Sequence, residues 1–283
     1  MIKPPNSRVN LDKTIERLFG NYERGTEVRS IMANTIVGQL LPAGVVKGGT
    51  SLKLRYGNQC TRMTTDFDLA CKGAVSSFVD ELARRLSEGW GDFTGTIVRR
   101  TPAAPRDVPA EYVMKPFGVK LFYRGQSWCT IDLELGFNEI GDADEADYCL
   151  SDEVLEIFSK LGLPLPKPIP LMKLEYQIAQ KLHGATEPGS RRAHDLIDLQ
   201  LILAKTKIDL ARTNAICQRL FAFRRMQPWP SFVTRGPDWH SIYEEERPPA
   251  EILPDVDAAI SWTNNLIRLI ADASTPSNDT NVN

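Results

Sequence analysis

The sequence has 283 residues, and its 34 lysine and arginine residues nearly balance 36 acidic residues, for a net charge of -2. With 42% hydrophobic and 25% charged residues, its composition is that of a folded globular protein and excludes a disordered or fibrous chain. A nearly neutral molecule has no net field that attracts phosphate, so any contact with nucleic acid requires a local basic patch.

Targeting and covalent cross-links are not indicated by the sequence. No run of about 18 apolar residues occurs, and the N-terminal residues have no apolar leader, so we predict a cytoplasmic protein. The five cysteines never form a C-x-x-C pair, which argues against a disulfide framework or a structural zinc site.

The first part of the chain alternates helical and strand patterns. Apolar residues at helical spacing predict one or two helices over residues 11–40. A β-branched run at 43–46 then meets Gly48 and Gly49, which predicts strand, tight turn and helix, with Thr50 or Ser51 available as the helix cap.

Further strands and one helix are predicted before the middle of the chain. Residues 64–70 alternate polar and apolar side chains, as a half-exposed strand does. Residues 75–88 form an amphipathic pattern typical of a helix, and 112–135 predict two strands joined at Gly125.

A proline-rich segment at 163–170 predicts a boundary, because proline at every second position forbids both helix and central strand. The later helical patterns cover 171–185, 192–206, 209–224 and 255–272. We therefore predict an α/β (α+β) domain over 1–165 and a mostly helical domain over 166–283 that closes an active-site cleft. The polar tail, 274–283, is predicted to be disordered.

The turn Gly48-Gly49-Thr50-Ser51 permits two interpretations. Glycine is the usual residue where the backbone needs a positive φ, and the turn needs no function to explain it. Alternatively, backbone N–H groups and a hydroxyl at the start of a helix bind phosphate oxygens. The sequence lacks a Walker A loop, so it is not a P-loop protein.

Acidic residues recur on the predicted strands. Asp66 and Asp68 share one face of a strand, where two parallel carboxylates repel each other unless a cation lies between them. Asp132 and Glu134 project from one side of a later strand, and either could supply a third carboxylate. Three carboxylates that hold Mg²⁺ beside a phosphate-binding turn are typical of nucleotidyl transfer. A solvated strand edge is the alternative for Asp132 and Glu134.

Four motifs in order resemble the AbiEii/AbiGii nucleotidyltransferase toxins, particularly the mycobacterial MenT-type members. They are Lys47 to Leu52 (KGGTSL), Arg62 to Asp68 (RMTTDFD), Gln177 to His183 (QIAQKLH) and Arg192 to Leu199 (RAHDLIDL). The resemblance covers 45 to about 203 and implies a polymerase-β-like nucleotidyltransferase domain with a small mixed sheet, followed by a helical domain.

The resemblance also implies an activity and partners. Such a protein is the toxin of a toxin–antitoxin or phage-defence pair, with a cognate antitoxin encoded by a neighbouring gene. It uses Mg²⁺ to move a nucleoside monophosphate, typically a pyrimidine, from an NTP to the 3′ acceptor end of tRNA, which blocks aminoacylation and translation. There are two alternatives. One is the same chemistry on a protein or small-molecule acceptor, and the other is an inactive protein that binds RNA or a partner.

Residue by residue, the resemblance implies that Asp66, Asp68 and Glu134 bind metal. It further implies catalytic roles for Lys181 and Asp198. The extra acid at Asp132 leaves the third metal ligand ambiguous between Asp132 and Glu134.

The sequence pattern around Lys181 and Asp198 is consistent with the catalytic roles that the resemblance implies for them. Lys181 lies on a different face of its predicted helix from Leu182, so its ammonium group can point at a cleft and bind triphosphate. Asp195 and Asp198 are helical neighbours, and either can pair with Lys181 or hold the incoming base. Ion pairs of these aspartates with Arg191 or Arg192 are the alternative.

Other polar residues suggest secondary roles. A phosphate on Thr64 or Thr65 would add about two negative charges beside the carboxylates, so Thr64 is a candidate regulatory hydroxyl. Arg62 is a candidate nucleotide-binding residue, and Arg55 a further candidate for the same role. Basic doublets, Arg99-Arg100 among them, would indicate an RNA footprint only if they cluster beside the carboxylates.

Overall fold

A computed structural model describes residues 2–20, 22–64, 66–101, 113–246 and 251–273. The chain divides into two compact units, Met1–Met172 and Lys173–Asn283. The predicted tail at 274–283 and Thr65 lie outside the described residues.

A seven-stranded mixed sheet forms the N-terminal unit, in the order β3-β4-β5-β2-β1-β7-β6. Its strands are β1 (Gly44–Val46), β2 (Asp66–Cys71), β3 (Phe93–Arg99), β4 (Lys115–Tyr123), β5 (Gln126–Gly136), β6 (Ala146–Cys149) and β7 (Ile169–Met172). β2 runs parallel to β5 and β1 parallel to β7, whereas the other pairs are antiparallel.

Among its described residues, this unit has the α-helices α1 (Arg8–Phe19), α2 (Tyr22–Gln39), α3 (Gly48–Tyr56), α4 (Val75–Glu88) and α5 (Asp152–Lys160). The hydrophobic core joins helix residues such as Ile15 and Ile36 to strand residues such as Leu133. A Cβ on Gly95 of β3 would meet Leu86 of α4 and Leu121 of β4, so α4 covers the face of the sheet that carries these residues.

The second unit contains helices α6 (Leu174–Thr186), α7 (His194–Lys205), α8 (Leu210–Arg224), α9 (Trp239–Glu245) and α10 (Val256–Asp272). Side chains such as Leu182, Leu199 and Ile267 are fully buried. The apolar periodicity found in the sequence therefore predicted four of these five helices, and the mixed sheet followed by helices is confirmed.

The structure corrects the interpretation of the proline-rich segment. Residues Ile169–Met172 form β7 between β1 and β6, and Pro170 lies opposite Tyr148 of β6. Proline fits there because the pairing of β7 with β1 is limited to Val46 and Leu171, so few ladder hydrogen bonds need a donor. Since β7 completes the sheet, the first unit extends to Met172, past the boundary expected at 165.

Candidate active site

The acidic residues of β2 and β5 lie side by side on one face of the sheet. The parallel register pairs Asp66 with Asp132 and Asp68 with Glu134. Residues paired in register, and residues two apart on one strand, project from the same face. All four acids therefore share the face opposite the one that α4 covers, which we call the carboxylate face.

An ion pair distinguishes Asp132 from Glu134. Arg100 Nη1 lies 2.6 Å from Asp132 Oδ1, and the two side chains are 45% and 60% exposed. Glu134 instead lies among like charges: partial burial, then the negative charges of Asp68 and Asp66, raise its pKa, while Lys47 lowers it. A carboxylate whose charge is disfavoured in this way gains most from a bound cation.

The carboxylates of β2 and β5 have the oxygen ligands that a divalent metal needs. Among the described residues, no group of three or more Asp, Glu, His or Cys side chains converges as a formed metal site. The residues of the carboxylate face nevertheless fit a divalent cation, because carboxylate oxygens are the ligands of hard cations. Asp68 and Glu134 are register partners whose negative charges repel each other. The residues present thus suit a hard cation that would itself draw the carboxylates together.

The glycine turn lies against this row. Gly48 has a φ of +67°, and a Cβ there would collide with Asp68 Oδ2. Both the backbone conformation and the close approach of the carboxylate therefore require glycine. At Gly49 a Cβ would lie 3.2 Å from Thr64 Cβ and 3.3 Å from Arg62 Nη2, which places both side chains beside the turn.

The start of α3 differs from the predicted cap. The helix begins at Gly48 with Lys47 as its N-cap and no side-chain cap, so the expectation that Thr50 or Ser51 caps it is wrong. The positive φ of Gly48 turns the strand directly into the helix. The first backbone N–H groups of a helix have no acceptor within that helix. Thr50 is buried and its Oγ1 donates to the backbone oxygen of Asp66 at 2.6 Å. Ser51 is also fully buried.

The arginines near the turn have different environments. Arg62 Nη1 donates to the backbone oxygen of Met63 at 3.2 Å and remains close to Gly49. Arg55 forms an ion pair with Asp147 at 3.0 Å and donates to the backbone oxygen of Met172, which anchors α3 to the edge of the sheet. Arg62 is therefore the better placed of the two for a nucleotide.

A buried charge cluster occupies the C-terminal unit, on α6 and α7. Lys181 Nζ lies 2.5 Å from Asp198 Oδ2 and 3.1 Å from Asp195 Oδ1, and the three side chains are 6%, 1% and 0% exposed. Arg192 Nε lies 2.5 Å from Asp195 Oδ2. Burial alone would raise the pKa of Asp195, but the charges of Arg192 and Lys181 outweigh it and lower that pKa.

The structure contains both kinds of ion pair that were considered for these residues. Both aspartates pair with Lys181, and Asp195 also pairs with Arg192, whereas Arg191 pairs with Asp238. His183, on the same helix as Lys181, is buried, and burial followed by the charges of Arg224 and Arg192 lowers its pKa to about 3. It is a neutral packing residue at physiological pH.

Sequence reasoning missed the individual position of Arg100. The doublet Arg99-Arg100 was visible, but strand alternation sends the two side chains to opposite faces, and only Arg100 reaches the carboxylate face. The available signal was Gly118 in the middle of β4, since an isolated glycine in a strand often marks a close approach.

A mixed sheet that carries paired carboxylates beside a glycine turn at a helix N-terminus defines a nucleotidyltransferase. The chain belongs to the AbiEii nucleotidyltransferase toxin family, because the family model, described as a nucleotidyl transferase AbiEii toxin of a type IV toxin–antitoxin system, matches residues 31–280. The resemblance found in the sequence motifs is confirmed. No curated protein matches the sequence.

The solved structures that are similar to this chain include a toxin from Mycobacterium tuberculosis and a protein from Helicobacter pylori. MenT4, a nucleotidyltransferase toxin from Mycobacterium tuberculosis, has 16% identity and a TM-score of 0.56, covering 95% of this chain and 91% of that one. JHP933 from Helicobacter pylori has 16% identity and a TM-score of 0.44, covering 85% and 89%. The first likeness supports the fold.

Within the described residues, no helix has the length and apolar character needed to cross a membrane.

Proposed function

We propose that the protein is a Mg²⁺-dependent toxin that moves a nucleoside monophosphate, typically a pyrimidine, from an NTP to the 3′ end of tRNA. The observation that carries the proposal is the parallel register that places Asp66 and Asp68 beside Glu134, next to the Gly48-Gly49 turn. A tRNA with a modified 3′ end cannot be aminoacylated, so translation would stop. The reaction would take place in the cytoplasm, and a cognate antitoxin would restrain it.

The four carboxylates of the site have different proposed roles. Asp66, Asp68 and Glu134 would hold the metal, while Asp132 is already paired with Arg100 and stays outside the ligand set. When bound, the divalent cation neutralises phosphate charge and polarises the reacting oxygens. The partly buried hydrogen bond from Thr50 to the backbone of Asp66 would fix the strand that carries the first two ligands.

The nucleotide would bind at the turn. The backbone N–H groups of Gly48 and Gly49 lie in the first turn of α3, at the positive end of the helix dipole, and would donate to phosphate oxygens, with Arg62 beside them. Thr50 would contribute through its backbone N–H group, because its side chain is buried. The backbone N–H of Ser51 already donates to the backbone oxygen of Lys47 at 3.4 Å, so Ser51 would act by closing the first turn of α3.

Lys181 and Asp198 complete the proposed set. The ammonium group has three protons, and the two carboxylates of Asp195 and Asp198 accept two of them. The lysine would act in catalysis through the third. Asp198 would hold the lysine in position.

The transfer itself needs little acid–base chemistry from the protein. The 3′-hydroxyl oxygen of the acceptor attacks the α-phosphorus and forms the new O–P bond, while the bond to the β-phosphate oxygen breaks. Pyrophosphate leaves with the electron pair, and the hydroxyl proton is released to water.

Thr64 would be a point of control. Its side chain lies within 3.2 Å of the position that a Cβ on Gly49 would take, so a phosphate on its hydroxyl would crowd the turn and repel the triphosphate. Thr64→Glu is expected to abolish transfer and Thr64→Val to preserve it. Full activity of the Thr64→Glu variant would disprove this control.

The function is tested by incubating the protein with Mg²⁺, each α-³²P-labelled NTP in turn and total tRNA, and resolving the products on a denaturing gel. Label is expected in tRNA. It should be absent with the Asp66→Ala and Glu134→Gln variants, and absent when the 3′ diol of the tRNA has been oxidised by periodate. Asp80→Asn, an exposed aspartate on α4, is the matched control and should retain activity. Label in protein or in a small molecule, with none in tRNA, would overturn the assigned acceptor.

A further inference from the structure

The carboxylate face continues as an open surface across β5, β4 and β3. Lys120 and Thr130 are exposed register partners on β4 and β5, and Thr96 of β3 is exposed beside Lys120. Val98, in the row of Asp132, is 62% exposed. The surface is shallow and begins at the carboxylate row.

Arg100 crosses this surface. Its guanidinium group passes from β3 over Gly118 of β4 to Asp132 of β5, where Nη1 lies 2.6 Å from the carboxylate. A Cβ on Gly118 would lie 3.0 Å from Arg100 Nε and 3.2 Å from Nη2. Gly118 does not have a positive φ, so backbone conformation does not require glycine there. The missing side chain makes room for the guanidinium.

Stability gives a weak reason for this arrangement. An ion pair between side chains that are about half exposed contributes roughly 0–1 kcal/mol, and glycine inside a strand weakens it. The pair does fix a flat, exposed guanidinium one strand away from the metal ligands. Arginine has five N–H donors, and one carboxylate leaves most of them for a further anion.

A second cation, Lys120, lies on β4, the strand that Arg100 crosses. Lys120 is two residues from Gly118, about 7 Å along β4, and its Nζ lies 5.4 Å from the ring centroid of Phe122. Phe122 is half-buried on the same face. Two cations in line with an aromatic ring suit a single nucleic-acid strand, whose phosphates pair with cations and whose bases stack on rings.

We propose that the acceptor strand of the RNA lies across this face, with Arg100 bound to the phosphodiester that precedes the 3′-terminal nucleotide and Lys120 to a more distant phosphate. Asp132 is a positioning residue for Arg100. The inference rests on the proposed function and adds the acceptor surface to it. Charge complementarity carries the choice of RNA, because the molecule as a whole is slightly acidic, whereas Arg100 and Lys120 both lie on this face, on the β4 side of the carboxylates.

The test compares two neighbouring arginines. Arg100→Ala removes the cation of the carboxylate face, whereas Arg99→Ala removes one positive charge from the opposite face, where Arg99 lies beside Lys115 and Phe117. We expect Arg100→Ala to raise KM for tRNA about tenfold, which corresponds to about 1.4 kcal/mol, with KM for the NTP unchanged. It should also reduce the salt dependence of tRNA binding by about one counterion. Arg99→Ala should match the wild type.

Two further variants separate position from charge. Gly118→Ala keeps Arg100 but displaces its guanidinium, and Lys120→Ala removes the second cation at an exposed site. Both should raise KM for tRNA with little change in kcat. A merely structural ion pair would change the thermal midpoint and leave the salt dependence of binding untouched.

The outcomes distinguish this inference from the proposed function. If the wild type labels tRNA and Arg100→Ala has the wild-type KM and salt dependence, the acceptor surface is disproved and the function stands. If Arg99→Ala and Arg100→Ala weaken binding equally, the effect is one of overall charge and the inference fails. If the wild type labels a protein instead of tRNA, both the function and the assigned occupant are overturned.

Discussion

Replacing Lys181 by methionine should severely destabilise the C-terminal unit. The change keeps the length of the side chain but removes the cation that lies between Asp195 and Asp198, which are 0% and 1% exposed. Asp195 retains Arg192, whereas Asp198 loses an ammonium group at 2.5 Å. Removing one partner of a buried ion pair costs about 3–5 kcal/mol, against roughly 5–15 kcal/mol for the stability of a whole domain.

Urea unfolding at pH 7, followed by tryptophan fluorescence and circular dichroism, measures the cost. The two compact units can unfold in separate transitions, so both probes are needed to assign the change to one of them. Lys160→Met is the matched control, because Lys160 pairs with Glu156 on the surface and both side chains are about half exposed. Its loss should be at most about 1 kcal/mol.

A double variant identifies the cause. Lys181→Met combined with Asp198→Asn also removes the buried negative charge that has lost its ammonium partner, and should recover much of the stability lost in the single variant. If Lys181→Met costs no more than Lys160→Met, or if the double variant is no more stable than the single one, the cluster is not held together by its charges. The result also decides how a loss of activity in Lys181 variants is interpreted, since only a folded variant tests phosphate binding.

Three other perturbations have defined outcomes. Thr50→Val should lose about 1 kcal/mol in urea unfolding and lower kcat by displacing Asp66, whereas Thr50→Ser keeps the hydrogen bond; equal kcat for the two variants would contradict this. His183 stays neutral in the fold with a pKa of about 3 but takes up a proton below about 6.5 when unfolded, so stability is complete above that pH and falls by about 2 kcal/mol at pH 5. His183→Asn should remove this part of the difference between pH 7 and pH 5, and an unchanged difference would refute it. Mg²⁺ should raise the Tm of the wild type. Glu134→Gln should raise the Tm measured without metal, because repulsion among the carboxylates is relieved, and should reduce the increase in Tm that Mg²⁺ causes. An equal Mg²⁺-induced increase in the wild type and the variant would exclude Glu134 as a ligand.

Local patterns in the sequence were sufficient for most elements. The amphipathic stretch at 75–88 became α4 with the same bounds, and the stretch at 255–272 became α10 one residue later, because each helix buries one apolar stripe that the spacing already shows. The strand Phe93–Arg99 was missed, since Gly95 interrupts its alternation. The strand at Ile169–Met172 was excluded because Pro170 was weighed without knowing how short its pairing with β1 would be.

The candidate site shows the same limit at the level of single residues. The sequence identified the two aspartates of β2 and left Asp132 and Glu134 equivalent, because both lie on one face of the same strand. Arg100 separates them, and its reach across Gly118 depends on which strand lies between β3 and β5. Neither sequence spacing nor residue type contains that information.

The sequence by itself determined the elements, the family motifs and the residue types available for chemistry, because periodicity and turn residues act over a few neighbours along the chain. The tertiary structure decided which distant side chains meet. Parallel pairing of β2 with β5 set four acids in one row, and the packing of α6 on α7 buried Lys181 between two aspartates. Strand register and burial are set by contacts between segments far apart in sequence, and charges respond to those contacts through desolvation and distance.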